Sequence, residues 1–174
     1  DAPTTYSYSA TRGAEVAEGP FPVVLFSHGA AGVRVQSTAI TSNLASWGMI
    51  VLSPEHPSRD LFAALSGSTN SDRTAAVDDL LGALDLITAE SADAASPFSG
   101  RADVERVAAL GHSAGGVTVL LAAADPRIDG YVSMASGVLR GRNDDPNVTT
   151  TTIAITMPDK PSFFIAGSAD ARVP

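Results

Sequence analysis

The sequence predicts an α/β fold: a doubly wound, mostly parallel sheet with helices on both faces. Two observations carry the prediction. Short apolar runs alternate along the chain with stretches of helical periodicity, the pattern of strands joined by helical crossovers. The strand-like runs "PVVLFSHG" (Pro22 to Gly29) and "RVAALGH" (Arg106 to His112) are close to continuously apolar. Strands covered on both faces read this way, whereas half-exposed strands alternate.

Taken in order, "TTYSYSA" (Thr4 to Ala10) alternates and reads as an early exposed strand. Pro22 to Gly29 follows as a buried parallel strand. From Ser37 to Gly48, Ile40, Leu44 and Trp47 recur at helical spacing, with Gly48 as a stop. "MIVLSPEHP" (Met49 to Pro57) is a second buried strand, broken by Pro54, and Ser66 to Asp72 is a polar loop. Arg73 to Ser91 is the clearest helix. Val77, Leu80, Leu81, Leu84 and Ile87 line one face, and Asp78, Asp79 and Asp85 lie off it. "SPFSGRADVE" reads as loop, "RVAALGH" as strand, and "GGVTVLLAAAD" as a helix that stops at Asp125-Pro126. "GYVSMAS" is a further strand. Gly137 to Thr152 is a long polar excursion, and "PSFFIAGSAD" (Pro161 to Asp170) is a last strand with its loop. One domain is expected over residues 1–174.

The chain has 174 residues, 44% hydrophobic and 17% charged, as soluble globular domains have. Its net charge of −8 argues against nucleic acid, which needs a basic footprint, and against docking to anionic membranes. No apolar stretch approaches the roughly 18 residues that span a bilayer. The absence of cysteine excludes disulfides, thiolate metal sites and a thiol nucleophile. The spacing of His, Asp and Glu suggests no metal, and no cofactor is expected.

Ligands of such sheets bind beyond the carboxyl ends of the strands. Three informative stretches sit there: His28-Gly29-Ala30, Gly111-His112-Ser113-Ala114-Gly115-Gly116, and Gly167 to Asp170. The second contains G-x-S-x-G between a strand pattern and a helix pattern. A sharp strand-to-helix turn there forces Ser113 into a strained conformation and lifts its Oγ above the sheet. The helix N-terminus beside it favours developing negative charge. The phosphate-cradling alternative lacks the lysine it needs. An inert serine in a glycine-rich turn is the plain alternative.

The ordered set "PVVLFSHGAAG", "LASWGMIVLSPEHP", "VAALGHSAGG" and "FFIAGSAD" resembles the α/β-hydrolase superfamily. Within it, the chain is most similar to the branch of platelet-activating-factor acetylhydrolases and bacterial polyester hydrolases and cutinases. The resemblance implies a serine carboxylic-ester hydrolase. It puts the nucleophile on Ser113, the oxyanion-hole donors on the backbone N–H groups of Ala30 and Ala114, and the triad acid on Asp170. The substrate would be a small-molecule or polymeric ester.

The family's triad histidine comes after the acid, and only four residues follow Asp170, none of them histidine. His28, His56 and His112 all lie upstream. The expectation is that the base resides on a C-terminal segment outside this chain, contiguous or on a second polypeptide, together with a last strand and helix. A non-catalytic binding protein of the same fold, or an inactive fragment, is the alternative. The start at Asp1 without Met suggests a trimmed form, so a secreted or periplasmic location is expected, with the cytoplasm as the alternative. Ser58 to Asp72 and Gly137 to Pro158 are expected to shape the pocket, with Leu61, Phe62, Leu65, Val138 and Leu139 either lining it or joining the core.

Overall fold

A computed structural model describes residues 10–70, 73–136 and 156–170. Nine elements follow in order: β1 (Phe21–Ser27), α1 (Thr38–Ser46), β2 (Ile50–Leu52), α2 (Leu61–Ser66), α3 (Arg73–Ala92), β3 (Ala102–His112), α4 (Ala114–Ala122), β4 (Gly130–Met134) and β5 (Ser162–Ile165). The five strands form one sheet in the order β2-β1-β3-β4-β5, and every pairing is parallel. The predicted fold class is the one observed. The strand expected over Thr4 to Ala10 lies outside the described residues except for Ala10, and the excursion expected from Gly137 to Thr152 lies outside them entirely.

Successive residues of a strand point to opposite faces, so the sheet has two apolar sides. On one, Val23, Leu25, Val107, Ala109 and Tyr131 pack against Leu80, Leu84 and Ile87 of α3 and Val119 and Leu120 of α4. Each fully buried leucine there contributes about 1.5–3 kcal/mol of transfer free energy. On the other, Val24, Phe26 and Leu110 are joined by Leu44 of α1 and by Met49, Val51, Val132 and Met134. This side is thinner. Phe163 and Ile165 on β5 are 62% and 46% exposed.

Several elements differ from expectation. Loop had been expected up to Glu105, yet β3 begins at Ala102. Its first residues pair with Phe21 and Pro22 across an irregularity in register at Pro22/Val23. Of the helical stripe expected in α1, Leu44 alone packs on the core; Ile40 and Trp47 are exposed. A short helix, α2, occupies a stretch with no expected element. Asp60 caps it by accepting the Ala63 N–H at 2.7 Å, and Gly67 closes it at φ 69. It buries only Ala63, so Leu61, Phe62 and Leu65 (44%, 78% and 80% exposed) are not core residues.

Candidate active site

Four strand ends converge at the carboxyl edge of the sheet. Ser113 lies between β3 and α4 at φ 56, ψ −120, a left-handed conformation that a residue with a side chain rarely adopts. Its backbone N–H donates to the Met134 carbonyl at 2.8 Å, tying the turn to the end of β4. Two glycines make the turn possible. A Cβ on Gly111 would overlap the carbonyl of Gly115, and one on Gly115 would overlap the carbonyl of Ser27. Helix α4 therefore packs directly on the backbone of β1 and β3. Among the described residues, the other non-glycine residues with positive φ are Ala31 (54) and Ala135 (46), and they also follow strand ends. Strain of this kind collects at functional sites.

The β1 end lies against the same serine. A Cβ on Gly29 would be 3.1 Å from the Ser113 Cβ. Ala30 is exposed, and Ser113 and Ala114 are half-buried. Among the described residues, neither the Ala30 N–H nor the Ala114 N–H has an acceptor, and the Ser113 Oγ has no partner. Asp170 follows β5 in a turn closed by its own N–H on the Gly167 carbonyl at 3.0 Å, and it is half-buried. The order β3-β4-β5 sets its strand two spacings, about 10 Å, from that of Ser113. The four expected site residues thus share one edge of the sheet.

No histidine among the described residues bonds to Ser113, and His28 and His56 are both engaged elsewhere. His56 is fully buried. Its Nε2 is 2.8 Å from Ser27 Oγ and its Nδ1 is 3.0 Å from Asp79 Oδ2. Asp79 can only accept as a carboxylate, so Nδ1–H donates to it and Nε2 accepts the Ser27 hydroxyl. This Ser-His-Asp chain has the donor order of a catalytic triad. Ser27 is fully buried as well, so it offers no substrate a nucleophile. His28 donates Nδ1–H to the Gly29 carbonyl at 2.8 Å, and its Nε2 lies 3.2 Å from the His56 N–H and 3.0 Å from Glu55 Oε1. An unprotonated Nε2 accepts the His56 N–H and leaves Glu55 Oε1 without a donor. Among the described residues, His112 Nδ1 is buried without a partner.

Burial, then the Arg59 charge, then His28 push His56 down to about 3. Folded His56 is therefore neutral above that pH, while in the unfolded chain it protonates near 6.5. Between those values the unfolded state binds the extra proton, so stability falls as the pH falls from about 6.5 toward 3. The loss approaches about 1.4 kcal/mol per pH unit. Asp79, pushed up by its own burial, works in the opposite sense at the acid end of this window. Urea unfolding at pH 7 and pH 5 checks the balance. His56→Gln is expected to show a smaller drop in stability than the unmodified chain, by about 1–2 kcal/mol. An equal drop in both would contradict the assignment.

This cluster was not visible as a unit in the sequence. Asp79 had been placed off the packed face of its helix, yet it turns to the strand end. The usable signal was the density of polar groups after β2, Glu55-His56 and Arg59-Asp60. Among the described residues no group of three or more potential ligands could hold a metal ion, and no helix is long and apolar enough to cross a membrane. An apolar cleft of about 530 Å³ lies at the opposite edge, against Pro22, Val107, Gly130 and Pro161, away from Ser113.

The all-parallel sheet with its helices is an α/β fold consistent with the α/β-hydrolase type. The family model described as "platelet-activating factor acetylhydrolase, isoform II" matches residues 6–90, just under half of the chain. The resemblance read from the sequence is thereby shown, and at family level it supports a lipase- or esterase-type hydrolase. The matched span holds Ala30, the buried Ser27 and His56, and the half-buried Arg59 and Asp79; Ser113, Ala114 and Asp170 lie beyond it. No curated protein matches the chain.

Proposed function

We propose that the protein is a serine carboxylic-ester hydrolase acting through an acyl-enzyme. The observation that carries this reading is the left-handed Ser113 at the N-terminus of α4, at the carboxyl edge of the sheet beside two unengaged backbone N–H groups. Ser113 Oγ attacks the ester carbonyl and the alcohol leaves. Water then attacks the acyl-enzyme and releases the acid. The N–H groups of Ala30 and Ala114 stabilise the oxyanion in both steps. Backbone donors suit that task because they are fixed before the reaction begins.

A histidine takes the serine proton and returns it to the leaving alcohol. Asp170 holds that histidine in the required tautomer and stabilises its imidazolium. His28 and His56 are engaged elsewhere and His112 makes no bond to Ser113, so this reading assigns the base to a histidine that is not among residues 1–174. The two-strand spacing between Ser113 and Asp170 leaves room for an imidazole. Exposed Leu61, Phe62 and Leu65 on α2, beside the β1 loop, suit the apolar part of a neutral ester, small or polymeric.

The test couples composition to activity. A denaturing intact-mass spectrum shows whether a histidine-bearing segment accompanies residues 1–174, and hydrolysis of nitrophenyl esters is then measured. The preparation with that segment is expected to turn over. The 174-residue chain alone is expected to retain only slow hydrolysis, since an oxyanion hole and binding alone give about 10³–10⁴ over water. A histidine-bearing preparation that hydrolyses no ester would favour a non-catalytic binding protein of this fold.

A further inference from the structure

Arg59 touches every part that must be held for the two oxyanion donors to face one point. One terminal nitrogen, Nη2, donates to Ser27 Oγ at 2.9 Å and to the His28 carbonyl at 3.0 Å. The other, Nη1, donates to Thr118 Oγ1 on α4 at 2.7 Å, and Thr118 Oγ1 donates in turn to the Ala114 carbonyl at 3.2 Å. The backbone carbonyl of Arg59 accepts the Ala31 N–H at 2.8 Å. Next to it, Gly32 bridges Asp60 and accepts the Leu61 N–H at 2.9 Å. The loop from His28 to Gly32 is thus fastened at its start by the guanidinium and at its end by main chain. Ala30 lies between the two fastenings, and its own N–H is unused among the described residues.

The peptide that carries the Ala30 N–H is fixed from its other side. Its carbonyl, that of Gly29, accepts from His28 Nδ1 at 2.8 Å and from the Gly32 N–H at 3.2 Å. In a trans peptide the N–H points opposite to the C=O, so these two bonds aim the N–H away from the protein. They also polarise it as a donor. Ser27 keeps Arg59 in place, since its hydroxyl accepts from the guanidinium while donating to His56, which is anchored on Asp79. A fork with two separated nitrogens can reach β1 and α4 at once; a lysine ammonium cannot span both.

We propose that Arg59 is the positioning residue of the oxyanion hole, locking the Ala30 loop of β1 to the Ser113 end of α4. The inference rests on the reading of Ser113 as nucleophile. The test, run in the histidine-bearing preparation, compares the unmodified protein with Arg59→Lys and Arg59→Ala on a nitrophenyl ester and on its thionoester, in which sulfur replaces the carbonyl oxygen. Sulfur is a poor hydrogen-bond acceptor, so a working oxyanion hole favours the oxygen ester. Arg59→Lys is expected to lower kcat for the oxygen ester about tenfold or more, with KM held within about threefold, and to lower the oxygen-to-sulfur rate ratio in parallel. Arg59→Ala is expected to go further and to melt earlier; Arg59→Lys keeps the question answerable if the alanine variant does not fold. A folded Arg59→Lys whose rate ratio stays within about twofold of the unmodified protein would overturn the proposal and leave the ester-hydrolase reading standing. Absence of Ser113-dependent turnover in the unmodified histidine-bearing preparation would overturn both, and it is recognised before any Arg59 variant is made.

Discussion

Ser113→Ala is expected to lower kcat for ester hydrolysis by at least about 10³-fold in the histidine-bearing enzyme, because no acyl-enzyme can form. The oxyanion donors are backbone groups and survive the change. Any residual rate therefore measures binding and oxyanion stabilisation alone. Stability should move differently. The residue at position 113 sits at φ 56 whatever its side chain, and Ser113 makes no side-chain bond among the described residues. Alanine inherits the same strain, so Ser113→Ala should leave the melting temperature nearly unchanged. Ser113→Gly removes the Cβ conflict and is expected to stabilise the fold by about 1 kcal/mol while being equally inactive. A more stable, dead variant is the signature of a residue strained for function. If Ser113→Gly were instead destabilising, the left-handed conformation would not be a strained one.

Gly115→Ala carries the largest expected cost to stability. Its Cβ would overlap the Ser27 carbonyl oxygen and lie 2.6 Å from the Ser27 carbonyl carbon and 2.7 Å from the His28 carbonyl oxygen. All three atoms are backbone, so no rotamer relieves the contact. Either α4 lifts off β1 or the strand end shifts, and overpacking of this kind costs about 3 kcal/mol or more. The displaced segment runs straight into the Ala30 loop. Activity should therefore fall even in molecules that remain folded. Gly82 gives the opposite result from the same substitution. It lies inside α3, and a Cβ there meets nothing within 4 Å. Gly82→Ala is expected to stabilise the protein by up to about 1 kcal/mol through helix propensity. Urea titrations of the two variants side by side would check both signs.

These variants also mark what the sequence made legible. Helix α3 was readable because twenty residues repeat one apolar face, and local periodicity and tertiary packing agree there. Strands β1 and β3 were readable because parallel strands in this sheet are apolar on both sides. The serine turn was readable because its glycines are dictated by backbone contact, a constraint written in residue identity. Short elements were harder. Helix α2 is six residues long and buries one side chain, so its apolar positions carried no periodic signal, although Asp60 and Gly67 mark both its ends. The first residues of β3, Ala102 to Glu105, alternate apolar and charged rather than running continuously apolar, and their strand state comes from pairing with Phe21 and Pro22. The cluster of Ser27, His56, Arg59 and Asp79 was illegible for a related reason. Its members span 53 positions of sequence by their numbering, and only the β2-β1 pairing and the packing of α3 bring them together. That pairing also explains why His56, the upstream histidine at a neighbouring strand end, does not serve Ser113: both its ring nitrogens are taken.

The most direct measurement is covalent. The protein is incubated with a fluorophosphonate, digested, and the modified residue located by peptide mass spectrometry. A nucleophilic serine backed by an oxyanion hole predicts a single phosphonylated site at Ser113, lost in Ser113→Ala and slowed in Arg59→Lys. Modification at another residue, or none in a preparation that carries the histidine-bearing segment, would contradict the assignment of Ser113 as the nucleophile.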